Sequence, residues 1–167
     1  MREIVTRINP SLKGDIAEIK IVETGHGAIM ISLPESILFH SGEARVRPEA
    51  LPFLKSLAQI LIEMNRHVRI LGHTDNVPIR TAQFPSNWEL SAVRAVMVVR
   101  IFSELYEVPI THLSATGFAD SKPVATNDTP EGRTKNRRVE IIVLENHASE
   151  ETLDALLPKE NASAPLP

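Results

Sequence analysis

The sequence contains no cysteine, few aromatic residues and only a small net charge. Without cysteine, disulfides and thiolate metal sites are excluded, although this absence is compatible with an oxidising or a reducing compartment. Aromatic residues make up 4% of the chain, so stacking platforms for nucleic-acid bases are scarce. The net charge of -3 at pH 7 creates no field that would attract nucleic acid or anionic lipid. We therefore expect no nucleic-acid partner.

Long apolar runs are also missing. The densest run, residues 95–99, ends at Arg100 and is far shorter than a membrane-spanning helix or a signal-peptide core. At 167 residues, the chain suits one domain that buries about two thirds of its unfolded surface. We expect an N-terminal linker over residues 1–15, a domain over 16–145, and a tail over 146–167 that forms a short helix and is then disordered.

Apolar periodicity predicts an α+β fold. The predicted elements are a β-hairpin of strands 16–23 and 28–33, a loop over 34–47 anchored by Phe39, a helix over about 48–64, a strand over 68–71, a helix over about 87–107, a strand over 113–118, one helical turn over 129–135, and a strand over 137–144. Ser86 and Glu89 have the spacing of a capping box, in which each side chain accepts a hydrogen bond from a free helix amide. Helices that alternate with strands indicate a mixed sheet covered on one face by two long helices.

The candidate site combines two opposite charges. Asp75 follows a buried strand, and Arg94 lies on the second turn of the helix that begins after the next loop. A carboxylate can bind an ammonium group, and a guanidinium binds a carboxylate in bidentate geometry. The structural alternatives are an Asx-type turn for Asp75 and a solvated helix charge for Arg94. We expect both side chains at the rim of one pocket.

Two other polar groups have competing interpretations. His73 and Asp75 have the spacing of half a metal site, but further ligands at short spacing are missing, so we expect no metal and a satisfied, partly buried His73. The basic residues before the last strand indicate either phosphate binding or, more simply, protection of a sheet edge. These residues are Arg133, Lys135, Arg137 and Arg138.

Several motifs in order resemble the OmpA-like peptidoglycan-binding domain over about residues 29–144. They are Gly72-His73-Thr74-Asp75, the N-x-x-L-S-x-x-R-A pattern from Asn87 to Ala95, Gly117-Phe118, Pro123, Asn127, Gly132-Arg133 and Asn136-Arg137-Arg138-Val139-Glu140. Within that family, the insert at residues 77–86 and the segment 32–39 look like the MotB-type flagellar stator branch.

The resemblance implies a non-enzymatic domain that binds peptidoglycan without a cofactor. Asp75 and Arg94 match the positions that hold the diaminopimelate, or an equivalent zwitterionic amino acid, of the stem peptide. Further candidate contacts are Thr74, Asn76, Leu90, Asn136 and Arg138. Alternation along the last strand leaves open whether Arg137 or Arg138 faces the pocket.

The resemblance also implies a cellular role. We expect the periplasmic domain of an inner-membrane protein, with its transmembrane helix absent from this chain, that pairs as a homodimer and anchors a MotA-type channel subunit to the wall. The alternatives are an OmpA-like anchor of a secretion system or lipoprotein and, from another class, a metal-dependent wall hydrolase.

Charge-assisted hydrogen bonds of roughly 1.5–3 kcal/mol each give an affinity on the order of micromolar to millimolar per site. Many sites on one polymer then provide firm attachment.

Overall fold

The computed structural model describes residues 19–24 and 27–144. The predicted linker and tail therefore lie outside the described residues, as does the start of the first predicted strand. The helices and strands are β1 (Lys20–Glu23), β2 (Ile29–Pro34), α1 (Glu35–Leu38), α2 (Leu51–Met64), β3 (Val68–His73), α3 (Asn87–Arg100), β4 (Leu113–Gly117), α4 (Pro130–Asn136) and β5 (Arg138–Val143). Among these residues, no helix is long and apolar enough to cross a membrane.

The five strands form one mixed sheet in the order β1-β2-β5-β3-β4. The predicted hairpin is confirmed, because β1 and β2 pair antiparallel. Strand β5 lies between β2 and β3 and is antiparallel to both, whereas β3 and β4 are parallel. The last strand in sequence is thus central, and it connects the N-terminal hairpin to the rest of the sheet.

Two long helices cover one face of this sheet. Alternate residues of β2, β3 and β5 pack in one cluster with apolar side chains of α2 and α3. The register pairs Ile31 with Ile141 and Ile141 with Ile70, so these three buried side chains form one row across the sheet. The predicted α+β architecture, with a mixed sheet under two long helices, is confirmed.

Helix α3 lies directly against two glycines on neighbouring strands. Gly72 and Gly117 are paired in the β3–β4 register. A Cβ atom added at Gly72 would lie 2.1 Å from the Ser91 carbonyl oxygen, and one added at Gly117 would lie 2.6 Å from the Ala92 nitrogen. Only glycine permits this close approach, which places the first turns of α3 beside the end of β3.

Two local predictions need correction. The predicted loop over residues 34–47 contains the short helix α1, although Phe39 is buried as expected. Helix α3 ends at Arg100 and continues as one π-helical turn, Ile101–Leu105. At its start, Ser86 accepts a hydrogen bond from the Trp88 amide, and the Glu89 carboxylate accepts from the Ser86 hydroxyl and backbone, so the predicted capping pair is present.

Candidate functional site

Asp75 lies just beyond the end of β3 and uses both carboxylate oxygens. Its Oδ1 accepts from the Val77 amide at 3.0 Å, which is the Asx-type turn expected as the structural alternative. Its Oδ2 accepts from Arg137 Nη1 at 2.6 Å. The Asx-type turn thus occupies only Oδ1. Oδ2 is left to bind a charged partner that lies 62 positions further along the chain.

Arg94 is buried rather than placed at a pocket rim, and so is Asp75, so the expectation for both side chains was wrong. Only 6% of Asp75 and 2% of Arg94 are exposed. Its Nε donates to the Glu43 carbonyl at 2.7 Å, its Nη2 donates to the Glu35 carboxylate, and its guanidinium lies 5.2 Å from the centre of the Phe39 ring. Burial lowers the pKa of Arg94, and the Glu35 charge opposes this effect.

Two residues outside the predicted set connect Asp75 to Arg94. Arg137 Nε lies 2.9 Å from Glu35 Oε2 while its Nη1 contacts Asp75. Glu35 in turn contacts Arg94 through its other oxygen. We call these four residues, Glu35, Asp75, Arg94 and Arg137, the four-charge cluster. The basic motif indicated an arginine here, whereas Glu35 lies in the segment 32–39 that resembled the MotB-type branch, and that resemblance assigned it no role.

A cleft of about 250 Å³ borders this cluster. It lies between the segment that follows β2 and the end of α4, and its lining combines hydroxyl, imidazole and guanidinium groups with one carboxylate and one aromatic ring. The lining residues are Pro34, Glu35, Ser36, Phe39, His40, Ser41, Arg47, Thr134 and Arg137. Arg137 is the most accessible member of the cluster, with a side chain that is 33% exposed. Solvent therefore reaches the four charges mainly through Arg137.

Three other predicted contacts lie near the cluster in different environments. Thr74 is buried, and its hydroxyl donates to the Asp75 carbonyl at 2.9 Å. Asn76 is exposed. Leu90 packs with Ala44 and Phe84 in a small apolar cluster. Of these, Asn76 has the side chain with the freest access to a ligand, whereas Thr74 and Leu90 support the loop and the helix.

The remaining two predicted residues face elsewhere. Asn136 is fully buried and braces the loop before α4, since its side chain bonds the Val124 and Ala125 amides and the Ala125 carbonyl. Arg138 donates to Glu140 at 2.7 Å and to the Lys122 carbonyl at 3.1 Å. The structure thus answers the question that alternation left open, because Arg137, not Arg138, contacts Asp75.

Arg138 belongs to a second group of charges, which we call the His73 cluster: His73, Arg138 and Glu140. His73 is fully buried, not partly buried, and stacks on Phe118 at 5.3 Å between ring centres. Its Nε2 lies 3.3 Å from Glu140 Oε2, but neither ring nitrogen meets a hydrogen-bond partner of good geometry among the described residues. The expectation of partial burial was therefore wrong, whereas a polar partner is present in the Glu140 carboxylate at ion-pair distance.

The pKa values of the His73 cluster follow from its burial and mutual charges. Burial lowers the pKa of His73 below 6.5, although the contact with Glu140 opposes the change. Burial alone would raise the pKa of Glu140, but the contacts with His73 and Arg138 outweigh it and lower this pKa to about 2. Within residues 19–24 and 27–144, no three histidine or acidic side chains lie close enough to hold a metal ion.

Comparison with known proteins supports the resemblance seen in the motifs. The model of the OmpA family matches residues 38–137. Motility protein B of Bacillus subtilis (strain 168) is 43% identical over 123 residues, which cover 73% of this chain and 47% of that protein. The chain spans about half the length of the curated relatives it matches first, with 47%, 59% and 52% of their lengths covered.

Solved structures share the fold along most of the chain. The cell wall anchor of the T6SS from Pseudomonas aeruginosa is 32% identical with a TM-score of 0.75, covering 85% of this chain and 94% of its own. The periplasmic domain of Helicobacter pylori MotB (residues 90–256) is 25% identical with a TM-score of 0.71, covering 86% and 88%. The chain accordingly belongs to the OmpA family, whose domains bind peptidoglycan without catalysing a reaction.

Proposed function

We propose that the four-charge cluster binds the zwitterionic end of diaminopimelate, or an equivalent amino acid, in the peptidoglycan stem peptide. In this proposal Asp75 binds the ammonium group and Arg94 binds the carboxylate. The observation that carries it is the continuous set of contacts from Asp75 through Arg137 and Glu35 to Arg94, next to a cleft. Because only two side chains separate Asp75 from Arg94 in this series, we expect one small ligand to reach both.

The environment strengthens these contacts. Asp75, Glu35 and Arg94 are each less than a tenth exposed, and charge-assisted hydrogen bonds shielded from water contribute roughly 1.5–3 kcal/mol each. After the costs of association, the affinity of one site is on the order of micromolar to millimolar. Repetition of the ligand along a polymer converts such an affinity into stable retention.

The test is retention of the purified chain on insoluble peptidoglycan. We expect Asp75→Ala and Arg94→Ala to lose most of the retention. Matched controls are Asp120→Ala and Arg45→Ala, which remove the same charges from exposed positions and are expected to bind like the unchanged protein. Circular dichroism melts of each variant separate lost binding from lost folding, because Arg94 is buried. Equal retention of all five proteins would disprove the site.

A second pull-down addresses the ligand. Peptidoglycan with lysine in place of diaminopimelate keeps the ammonium group and lacks the neighbouring carboxylate. We expect weaker retention on this wall, since Arg94 loses its ligand partner. The same retention on both walls would contradict the assignment of a carboxylate to Arg94.

We further propose that the chain is the periplasmic, wall-binding part of a MotB-type stator subunit. In this role it pairs as a homodimer and holds a MotA-type channel subunit against the wall through a transmembrane segment of the whole protein. The relation to Motility protein B supports this role. Replacing the gene with its Asp75→Ala version is expected to abolish swimming while flagella still assemble, and normal swimming would contradict the proposal.

An anchor in a secretion system is the alternative, supported by the similarity to the T6SS cell wall anchor. The same gene replacement distinguishes the two. Lost effector secretion with normal swimming favours the secretion system, whereas lost swimming with normal secretion favours the stator.

A further inference from the structure

The four-charge cluster is electrically neutral, with two carboxylates and two guanidiniums. Its contacts form an ordered series in which Asp75 contacts Arg137, Arg137 contacts Glu35, and Glu35 contacts Arg94. The two outer residues are those to which the proposed function assigns the ligand. The two inner residues are therefore in the positions where the ligand would have its charges.

Glu35 and Arg137 together have the charge pattern of a zwitterion. The guanidinium of Arg137 presents a cation to Asp75 at 2.6 Å, and the carboxylate of Glu35 presents an anion to Arg94. The two inner groups are also bonded to each other, with Arg137 Nε 2.9 Å from Glu35 Oε2. The zwitterionic end of diaminopimelate has the same arrangement, with an ammonium group and a carboxylate held next to each other.

We propose that the Glu35–Arg137 pair is an internal substitute for the zwitterionic ligand, and that the ligand displaces it as a pair. The inference rests on the proposed function, because it takes Asp75 and Arg94 as the ligand-binding residues. Glu35 and Arg137 are then specificity-determining residues that compete with the ligand and select its charge.

Displacement as a pair keeps every charge partnered. When the ligand contacts Asp75 and Arg94, Glu35 and Arg137 retain their own ion pair, and no buried charge is left alone, which would be strongly unfavourable. The site also stays neutral when the ligand is a zwitterion. A ligand with only cationic or only anionic groups would leave a net charge in a poorly hydrated place, so this exchange disfavours it.

The accessibility of the two residues is consistent with such a movement. Arg137 is 33% exposed and lines the cleft together with Glu35. Hydroxyl groups of Ser36, Ser41 and Thr134 line the same cleft and offer polar surroundings for the displaced pair. Arg94, by contrast, is 2% exposed and its Nη2 contacts the Glu35 carboxylate, so a ligand carboxylate that binds this nitrogen has to compete with Glu35.

Competition by the Glu35–Arg137 pair reduces the apparent affinity of the site for the ligand, because the ligand binds only when this pair has moved away from Asp75 and Arg94. Glu35→Gln keeps the size of the side chain but removes the charge that holds Arg94. We expect this variant to bind meso-diaminopimelate about tenfold more tightly than the unchanged protein, as one weakened charge-assisted contact corresponds to roughly that factor. The displaced Arg137 loses its ion pair in this variant, but its side chain is 33% exposed and is solvated instead of being buried alone. Glu131→Gln removes an exposed acid and is expected to bind like the unchanged protein.

The experiment uses NMR titrations of the whole chain with three matched probes. Meso-diaminopimelate carries both charges, pimelate lacks the ammonium groups, and 1,5-diaminopentane lacks the carboxylates. The unchanged protein should bind meso-diaminopimelate most tightly. In Glu35→Gln, the site gains one positive charge, so the affinity for pimelate should also rise by about tenfold while that for 1,5-diaminopentane does not.

The outcomes separate this inference from the proposed function. If the unchanged protein binds meso-diaminopimelate and Glu35→Gln binds it equally or more weakly, the internal substitute is disproved and the site assignment stands. If neither protein binds it or peptidoglycan, both proposals are disproved. A crystal structure of the unchanged protein with meso-diaminopimelate tests the inference without a variant: an open Glu35–Arg94 contact supports it, and an intact contact beside the bound ligand overturns it.

Discussion

The four-charge cluster and the His73 cluster come from neighbouring residues but occupy different environments. Arg137 and Arg138 are adjacent in sequence, yet one contacts Asp75 and the other contacts Glu140. The four-charge cluster has one partly exposed member and borders a cleft. All members of the His73 cluster are at most 4% exposed. Burial of charge is therefore common to both, and access from a cleft is what distinguishes the proposed binding site from the structural cluster.

The comparison first predicts that Arg138→Ala has the largest effect on stability. Removing this guanidinium leaves the buried Glu140 carboxylate with only His73 as a partner, which costs about 3–5 kcal/mol. The free energy of unfolding in urea measures the loss. Peptidoglycan retention of the folded fraction should be unchanged, so lost retention at normal stability would show that Arg138 belongs to the binding site after all.

The second-largest effect should be a loss of folding stability at acid pH, through the His73 cluster. The pKa of Glu140 is lowered to about 2 from 4.5, so its ionised form stabilises the fold above pH 4.5, and this contribution of about 3 kcal/mol is lost as the pH falls toward 2. His73 acts in the same direction below pH 6.5, because its pKa is lowered and the unfolded chain takes up the proton first.

Unfolding of the unchanged protein and Glu140→Gln at several pH values measures this contribution. The difference in unfolding free energy between them should shrink as the pH is lowered through 4.5, whereas Glu131→Gln should show no such convergence. A difference that stays constant with pH would show that the Glu140 charge does not stabilise the fold.

Arg94→Ala should destabilise the protein less than Arg138→Ala, by about 1–3 kcal/mol. The reason is that Glu35 keeps Arg137 as a second partner after Arg94 is removed, so no buried carboxylate is left alone. Urea unfolding of the two variants side by side provides the measurement. Equal losses would mean that Arg137 does not compensate, and that the two clusters are energetically alike.

Asn76→Ala should have the smallest effect and should separate binding from stability most cleanly. Asn76 is exposed beside Asp75, so we expect an unchanged melting temperature and a loss of retention of about two- to tenfold, the range for one hydrogen bond to the ligand. Thr129→Ala is the control with the opposite result. It removes the hydroxyl that accepts from the Gly132 amide at the start of α4, so we expect a lower melting temperature and unchanged retention on peptidoglycan.

Most of the fold was predictable from local sequence patterns. Alternation in β2 and helical spacing in α2 indicated elements that the structure contains, because their apolar patterns match the faces that are buried. Helix α3 is also present, but its buried face includes Ser91 and Arg94 while Val96 is exposed. The prediction failed in residues 34–47, where α1 is only four residues long and is too short to show a helical period. It also failed at the end of α3, where the π-helical turn depends on packing rather than on a local pattern.

The candidate site was predictable only in part. Asp75 and Arg94 were selected as a pair, and the structure links them, but their roles in binding stay a prediction. Glu35 was missed because the segment 32–39 indicated only a branch of the family and no role for this acid, and its partner Arg94 lies 59 positions away. The burial of Arg94 was missed because a position on a helix does not reveal which loop will cover it, here the one that contains Glu43.

The sequence by itself determined most of the secondary structure, the cover of the sheet by two long helices and the family, because apolar periodicity and ordered motifs are properties of nearby residues. Only the tertiary structure decided that Arg137 contacts Asp75, that Arg138 faces Glu140, and that Glu35 covers Arg94. These contacts depend on β5 entering the sheet between β2 and β3, which brings together charges from distant parts of the chain.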